Sequence, residues 1–390
     1  MPLSGGNVTS LDAGSNLTVA ADRGNDRISL PVMQPEVLGY SHHAYLFTIG
    51  SPNPSYDNWL GHHYVQLWCP ADFAENRDTH FDFYWDTHYK GYYWLKTLKL
   101  SREAIAKFPG ILEFLLHRLL QGWYVILYVD EYYIPDRPFT LRTHFYHEIM
   151  IYGFDRSTRT FDTAGFNARG IYGYQTVSFD ELVVAYQEVP IVPDAEFANA
   201  YLIQAKPDAG YPADLDETIE MMKDYLFSRN TFERRNGHLL SLMDSGGASS
   251  GPYEYHYRSF QSKRSYVFGL RAYQELIRYL ALLEHKMTSA DIRPFHILRE
   301  HKQCQLRRIR YFEAQYGIGR EEGWPEQALG LWNLSDLVCK YMLKYQLTND
   351  KRILSKCEQK LIELLNAESA LLLKVLERLT AVYLEGSRNS

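Results

Sequence analysis

His147 and Asp162 are the residues of this 390-residue chain whose types and spacing offer acid–base chemistry. They lie in the stretch Trp123 to Gly165, which reads WYVILYVDEYYIP, then HFYHEIMIYGFD, a turn at Asp155-Arg156-Ser157-Thr158, and a strand carrying Asp162. An imidazole with one nitrogen open can take a proton. A carboxylate on the other nitrogen fixes the tautomer and steadies the imidazolium once it forms. Strand alternation puts His147, Ile149, Ile151 and Gly153 on one face, and Tyr146, Glu148, Met150 and Tyr152 on the other. A tight turn at 155–158 sets Asp162 opposite Ile151, so a bulge or strand curl must bring its carboxylate to the ring. The same pattern fits a structural strand histidine and a turn-forming aspartate.

A base of this kind needs something to activate. Cys69, 78 residues ahead of His147, is the only cysteine before it and is the candidate nucleophile. It ends the apolar segment DNWLGHHYVQLWC and is followed by proline, a setting that also suits a buried structural thiol. Ser41 and Ser55 are the hydroxyl alternatives, and Gln66 is a candidate oxyanion donor. The pairs His42-His43 and His62-His63 invite a metal reading, with His144 and His147 as further donors. Adjacent side chains point apart on helix and strand alike, so each pair offers at most one ligand. With no HExxH spacing, neither a metal site nor a cofactor is expected.

The pattern His147, five residues, Gly153, then Asp162 at a strand end resembles the His/Asp portion of papain-like cysteine peptidases, especially those that cut double-glycine leader peptides. At the scale of the chain, NWLGHHYVQLWCP, GWYVILYVDEYYIP, HFYHEIMIYGFD, YVFGLRAYQELIRYL and DIRPFHILREHK resemble papain-like proteins of nonribosomal-peptide and related natural-product pathways. These are relatives of the butirosin-biosynthesis acyltransferase family. The resemblance implies acyl or peptidyl transfer, or amide hydrolysis, on a thioester held by the phosphopantetheine arm of a carrier protein. In that frame His147 is the base, Asp162 its orienter and Cys69 the nucleophile. The departure is at the nucleophile, because the family needs a cysteine at the start of a buried helix. A non-catalytic papain-like scaffold that binds a carrier protein or assembly-line enzyme is the alternative. A third possibility is acid–base catalysis of direct attack by an amine, without a covalent step.

The elements that must position these residues divide into two kinds. Residues 57–69 lean to a helix, and Leu100–Gln121 reads as one, capped by Ser101 and stopped by Gly122. Strands are expected near 123–130, 145–153, 158–163 and 200–205, and a short helix after Ser178. Beyond the linker 206–216, helical periodicity dominates from Leu215 to Leu384, interrupted by a loop at Asp244–Pro252. The expectation is therefore an α+β fold. A polar, disordered tail (1–30) precedes a papain-like domain of helices and antiparallel sheet (31–205), and an all-α domain (217–390) follows the linker.

Bulk properties exclude several classes. A net charge of −6 argues against non-specific nucleic-acid binding. No apolar run is long enough for a membrane span. The four cysteines lack disulfide or zinc spacing, which together with a signal-free start suggests a cytoplasmic protein. Tyr92, Tyr93, Trp94, Tyr132, Tyr133, Tyr172 and Tyr174 either line a cleft for an acyl chain or fill the core. Arg307, Arg308 and Arg310 form a basic run that either docks an acidic carrier or is a solvated helix face.

Overall fold

The computed structural model describes residues 26–50, 53–76, 80–84, 93–192, 198–206, 210–235 and 265–389. The expected loop at Asp244–Pro252, Tyr92 and most of the expected tail lie outside them. The main sheet is antiparallel and has seven strands. Its path runs β4 (Leu95–Ser101), β9 (Asn199–Ala205), β5 (Tyr124–Asp130), β6 (Tyr146–Asp155), β7 (Thr160–Phe166), β8 (Tyr172–Ser178), with β1 (Arg27–Ser29) also paired to β6. Period-two alternation makes both faces apolar. Ile126, Met150, Tyr152, Ala164 and Ile203 fill one core; Leu127, Ile149, Ile151, Phe161 and Leu202 fill the other.

Two helices close the second face. α4 (Ile111–Leu120) presents Phe114, Leu115 and Leu119 to it. α5 (Phe179–Gln187) starts at a capping box in which Ser178 and Glu181 satisfy each other's backbone N–H groups. The long helix expected over 100–121 is split. Ser101 does cap a turn, α3 (Arg102–Ile105), by accepting from Ala104 N, but Pro109 and Gly110 separate it from α4. The residues before the cap extend as β4.

α1 (Ser41–Gly50) and α2 (Tyr56–His62) lie on the first face. The helix expected over 57–69 stops early. Tyr64 takes a left-handed φ of 56°, and the chain re-emerges as β2 (Leu67–Pro70). β2 pairs with β3 (Asp82–Phe83) on one side and β10 (Tyr266–Phe268) on the other.

The remaining helices are α6 (Leu215–Leu226), α7 (Ala272–Glu284), α8 (Arg293–Tyr316), α9 (Trp324–Thr348) and α10 (Arg352–Asn389). Pro294 and Pro325 sit in the first turns of α8 and α9, and Gly317 ends α8 at φ 66°. These helices share one core with α1, α2, β2 and the first face of the sheet. Residues on both sides of the expected 206–216 boundary thus build one apolar cluster, and β2 and β10 bridge it. Among the described residues, no helix is long and apolar enough to cross a membrane.

Charged groups stitch the halves together. Buried Glu300 of α8 accepts from Leu38 N and Gly39 N, both at 2.9 Å. Buried Arg308 donates to Gly61 O and His63 O, and Arg307 pairs with Glu36 and Asp57 at 3.0 Å each. The basic run is therefore largely spent inside the fold, leaving Arg310 as its exposed member.

Candidate functional site

The structure does not assemble His147, Asp162 and Cys69. The turn register, Asp155 opposite Thr160, sets Asp162 opposite Gly153, six residues from His147 and so about 20 Å along the strand. The carboxylate lies over the bare Cα of Gly153, where an added Cβ would come within 2.6 Å of Oδ2. The turn is longer than the tight one expected, and its register thus keeps Asp162 away from the ring.

Cys69 belongs to the other sheet, opposite Val267 of β10. It is buried, and desolvation drives its thiol well above the usual range. Cys304, Cys339 and Cys357 are buried as well, with thiols pushed up to about 12, 11 and 12 by the same cause. None of the four thiols has the exposed, electropositive setting that makes a thiolate at neutral pH.

His147 has a different orienter. Its Nδ1 lies 3.1 Å from Oε1 of Glu131, which begins the 3-10 turn Glu131–Tyr133 at the end of β5. The Glu131 side chain is 5% exposed and the His147 side chain 35%, so a buried carboxylate holds a ring that reaches the surface. The other Glu131 oxygen, Oε2, is buried and has no hydrogen-bond partner among the described residues. Nδ1–H donating to the carboxylate leaves Nε2 as the acceptor, and among the described residues nothing occupies it.

Beside this dyad stands a second one. His144 Nδ1 lies 2.6 Å from Oδ2 of buried Asp130, whose other oxygen caps the turn by accepting from Tyr132 N and Phe145 N. Tyr132 stacks on His144, and Phe145 sits 5.6 Å from His147 and 4.3 Å from Phe139 between ring centroids. Leu141 and Phe145 are exposed, giving the dyads an apolar rim. Of the aromatics flagged in the sequence, Trp94 and Tyr172 are core and Tyr132 is part of this rim.

The opposite face of β6 carries the next side chain, Glu148. It is buried, and Ser41 Oγ, at the first residue of α1, donates to its Oε2 at 3.4 Å. Ser41 is thus a hydroxyl at the start of a buried helix, facing a carboxylate and not an imidazole. Tyr45, one turn on, donates to Glu148 O at 2.8 Å.

The histidine pairs behave unlike the sequence expectation. His42 and His43 both reach one carboxylate: Nε2 of His42 lies 3.1 Å from Asp82 Oδ2, and Nε2 of His43 lies 2.9 Å from Asp82 Oδ1. Asp82 sits off the helix end between the two rings, so side chains that diverge along the helix converge on it. Burial raises the Asp82 carboxyl, but the two imidazoles together outweigh it and hold the group far below its usual range; Phe83 N–H also donates to it. Desolvation and the neighbouring His43 lower His42. His62 and His63 are spent on packing. His62 bonds Thr218 and Tyr311; His63 meets Tyr211 OH at 3.0 Å and stacks on Trp59. Burial lowers their pKa values to about 4 and about 3.

No family model and no curated protein matches the chain. The function must therefore be read from the geometry and from the resemblance above.

Proposed function

We propose that this protein catalyses acyl or peptidyl transfer from a carrier-bound thioester to an amine, or hydrolysis of that thioester, by general-base attack and without a covalent acyl-enzyme. The observation that carries this reading is the His147–Glu131 pair: an accessible imidazole with an open Nε2, held through Nδ1 by a buried carboxylate. In this mechanism Nε2 removes the proton from an incoming amine or water as it attacks the thioester carbonyl. The C–S bond breaks, the pantetheine thiol leaves, and the imidazolium returns the proton to it. Glu131 fixes the tautomer and stabilises the imidazolium. The rim of Phe139, Leu141 and Phe145 suits an apolar acyl chain. The burial of all four cysteines argues against a thiol intermediate.

The test is intact-protein mass measured during turnover of acyl-pantetheine thioesters. The reading expects thiol release without a protein adduct. A stable acyl adduct on any residue would replace it with a covalent mechanism.

One observation favours a second reading, a papain-like scaffold. Papain-like enzymes carry a cysteine facing histidine at the start of a buried helix, whereas the start of buried α1 carries Ser41 facing Glu148. On that reading the protein binds the carrier and turns over no thioester.

A further inference from the structure

We propose that His42, His43 and Asp82 form a binding site for a divalent transition-metal ion, with zinc the best fit to the donor set. Two imidazole nitrogens and one carboxylate oxygen lie within 4.8 Å of one another. In a tetrahedral zinc site, bonds of about 2.0–2.1 Å set ligand atoms roughly 3.3 Å apart. Small side-chain rotations are enough to close the difference. Two histidines and a carboxylate are a donor set that suits zinc and leaves a fourth position for water or an anion.

Two features outside the ligands support a built site. Nδ1 of His43 lies 2.9 Å from Tyr64 OH, and a bond from Nδ1–H to that oxygen presents the unprotonated Nε2 to an ion. Tyr64 holds this position at a φ of 56°, an uncommon conformation for an aromatic residue, which places strain at the group that orients the ligand. The site is also reachable. The His43 side chain is 1% exposed and Asp82 4%, but His42 is 14% exposed. Ion binding shifts each neutral ring to its Nδ1–H tautomer: the proton leaves Nε2 for Nδ1, where for His43 the Tyr64 oxygen accepts it, each Nε2–H···carboxylate bond gives way to a nitrogen–metal bond, and Asp82 keeps its Phe83 N–H partner. The proposal does not depend on the thioester reading, because the His147–Glu131 pair shares no residue with it.

The experiment is calorimetric titration of the untagged, chelator-stripped full chain with Zn²⁺, and with Co²⁺ for its visible spectrum. The expected result is one equivalent at micromolar affinity or tighter, with the intense absorption of tetrahedral Co²⁺. His42→Gln and Asp82→Asn should each lose at least about 100-fold in affinity, and Tyr64→Phe about 10–100-fold. Far-ultraviolet circular dichroism confirms that each variant is folded. His42→Gln changes the most exposed ligand and so guards against misfolding. No stoichiometric binding to wild type would overturn the proposal. So would unchanged affinity in folded His42→Gln and Tyr64→Phe.

Discussion

His147 Nδ1 and Glu131 Oε1 stand 3.1 Å apart, joining a surface imidazole to a carboxylate inside the protein. Glu131→Gln tests what the charge does there. The amide oxygen can still accept from Nδ1–H, so the tautomer is kept, but the imidazolium loses its counter-charge. Thioester turnover should fall by about 100-fold in kcat, with KM nearly unchanged. Steady-state kinetics of thiol release give the answer; equal loss in kcat and gain in KM would point to a binding role.

Thiol reactivity gives a second prediction. Since all four cysteines are buried with raised thiol pKa values, a disulfide reagent should label the native protein slowly at pH 8 and find four thiols after unfolding. One thiol reacting at the rate of a free cysteine would restore the covalent route.

Which features were legible in the sequence follows from range. β5, β6 and β9 announce themselves as apolar runs of strand length, and α5 through the Ser178–Glu181 box. α1 does not. SHHAYLFTIG is buried almost all round, so it lacks the polar face on which helical periodicity depends. His147 was visible as a strand histidine before a glycine. Glu131 gives no such signal, because its link to His147 comes from strand pairing, Val129 opposite His147, and not from spacing. The turn-bound DE after the apolar VILYV was the one local sign. The convergence of His42 and His43 on Asp82 has no signal in spacing at all, because β3 is brought to the helix start by tertiary packing.

Glu300 ties stability to pH. Burial raises its carboxyl to about 7, outweighing the two backbone N–H bonds that favour the ionised form. A raised acid binds its proton more tightly folded than unfolded. The contribution is present below about pH 4.5 and is lost as pH rises through about 7, by up to roughly 3 kcal/mol. Urea unfolding of wild type and Glu300→Gln should show the wild type's advantage shrinking from pH 5 to pH 8. A constant difference would refute the linkage.

Lys302 and Glu368 form a fully buried ion pair, to which Tyr225 and Tyr273 donate at 3.0 and 2.6 Å. Burial lowers the Lys302 ammonium to about 8, and the carboxylate opposes that effect. Lys302→Met and Glu368→Gln should each cost about 3–5 kcal/mol, because each strands a buried partner. Lys302→Met/Glu368→Met should cost less than the sum of the two corresponding single changes, with a coupling above about 1 kcal/mol. Additive costs in denaturant titrations would show that the pair does not act as a unit.

The most direct measurement of the central claim is the initial rate of thiol release from an octanoyl-pantetheine thioester with hydroxylamine as acceptor. Wild type, His147→Ala, Cys69→Ala and Ser41→Ala are compared, each checked for folding. General-base catalysis at His147 predicts a loss of at least about 100-fold in His147→Ala and near wild-type rates in the other two. Wild-type turnover in His147→Ala, or its loss in Cys69→Ala or Ser41→Ala, would contradict the account.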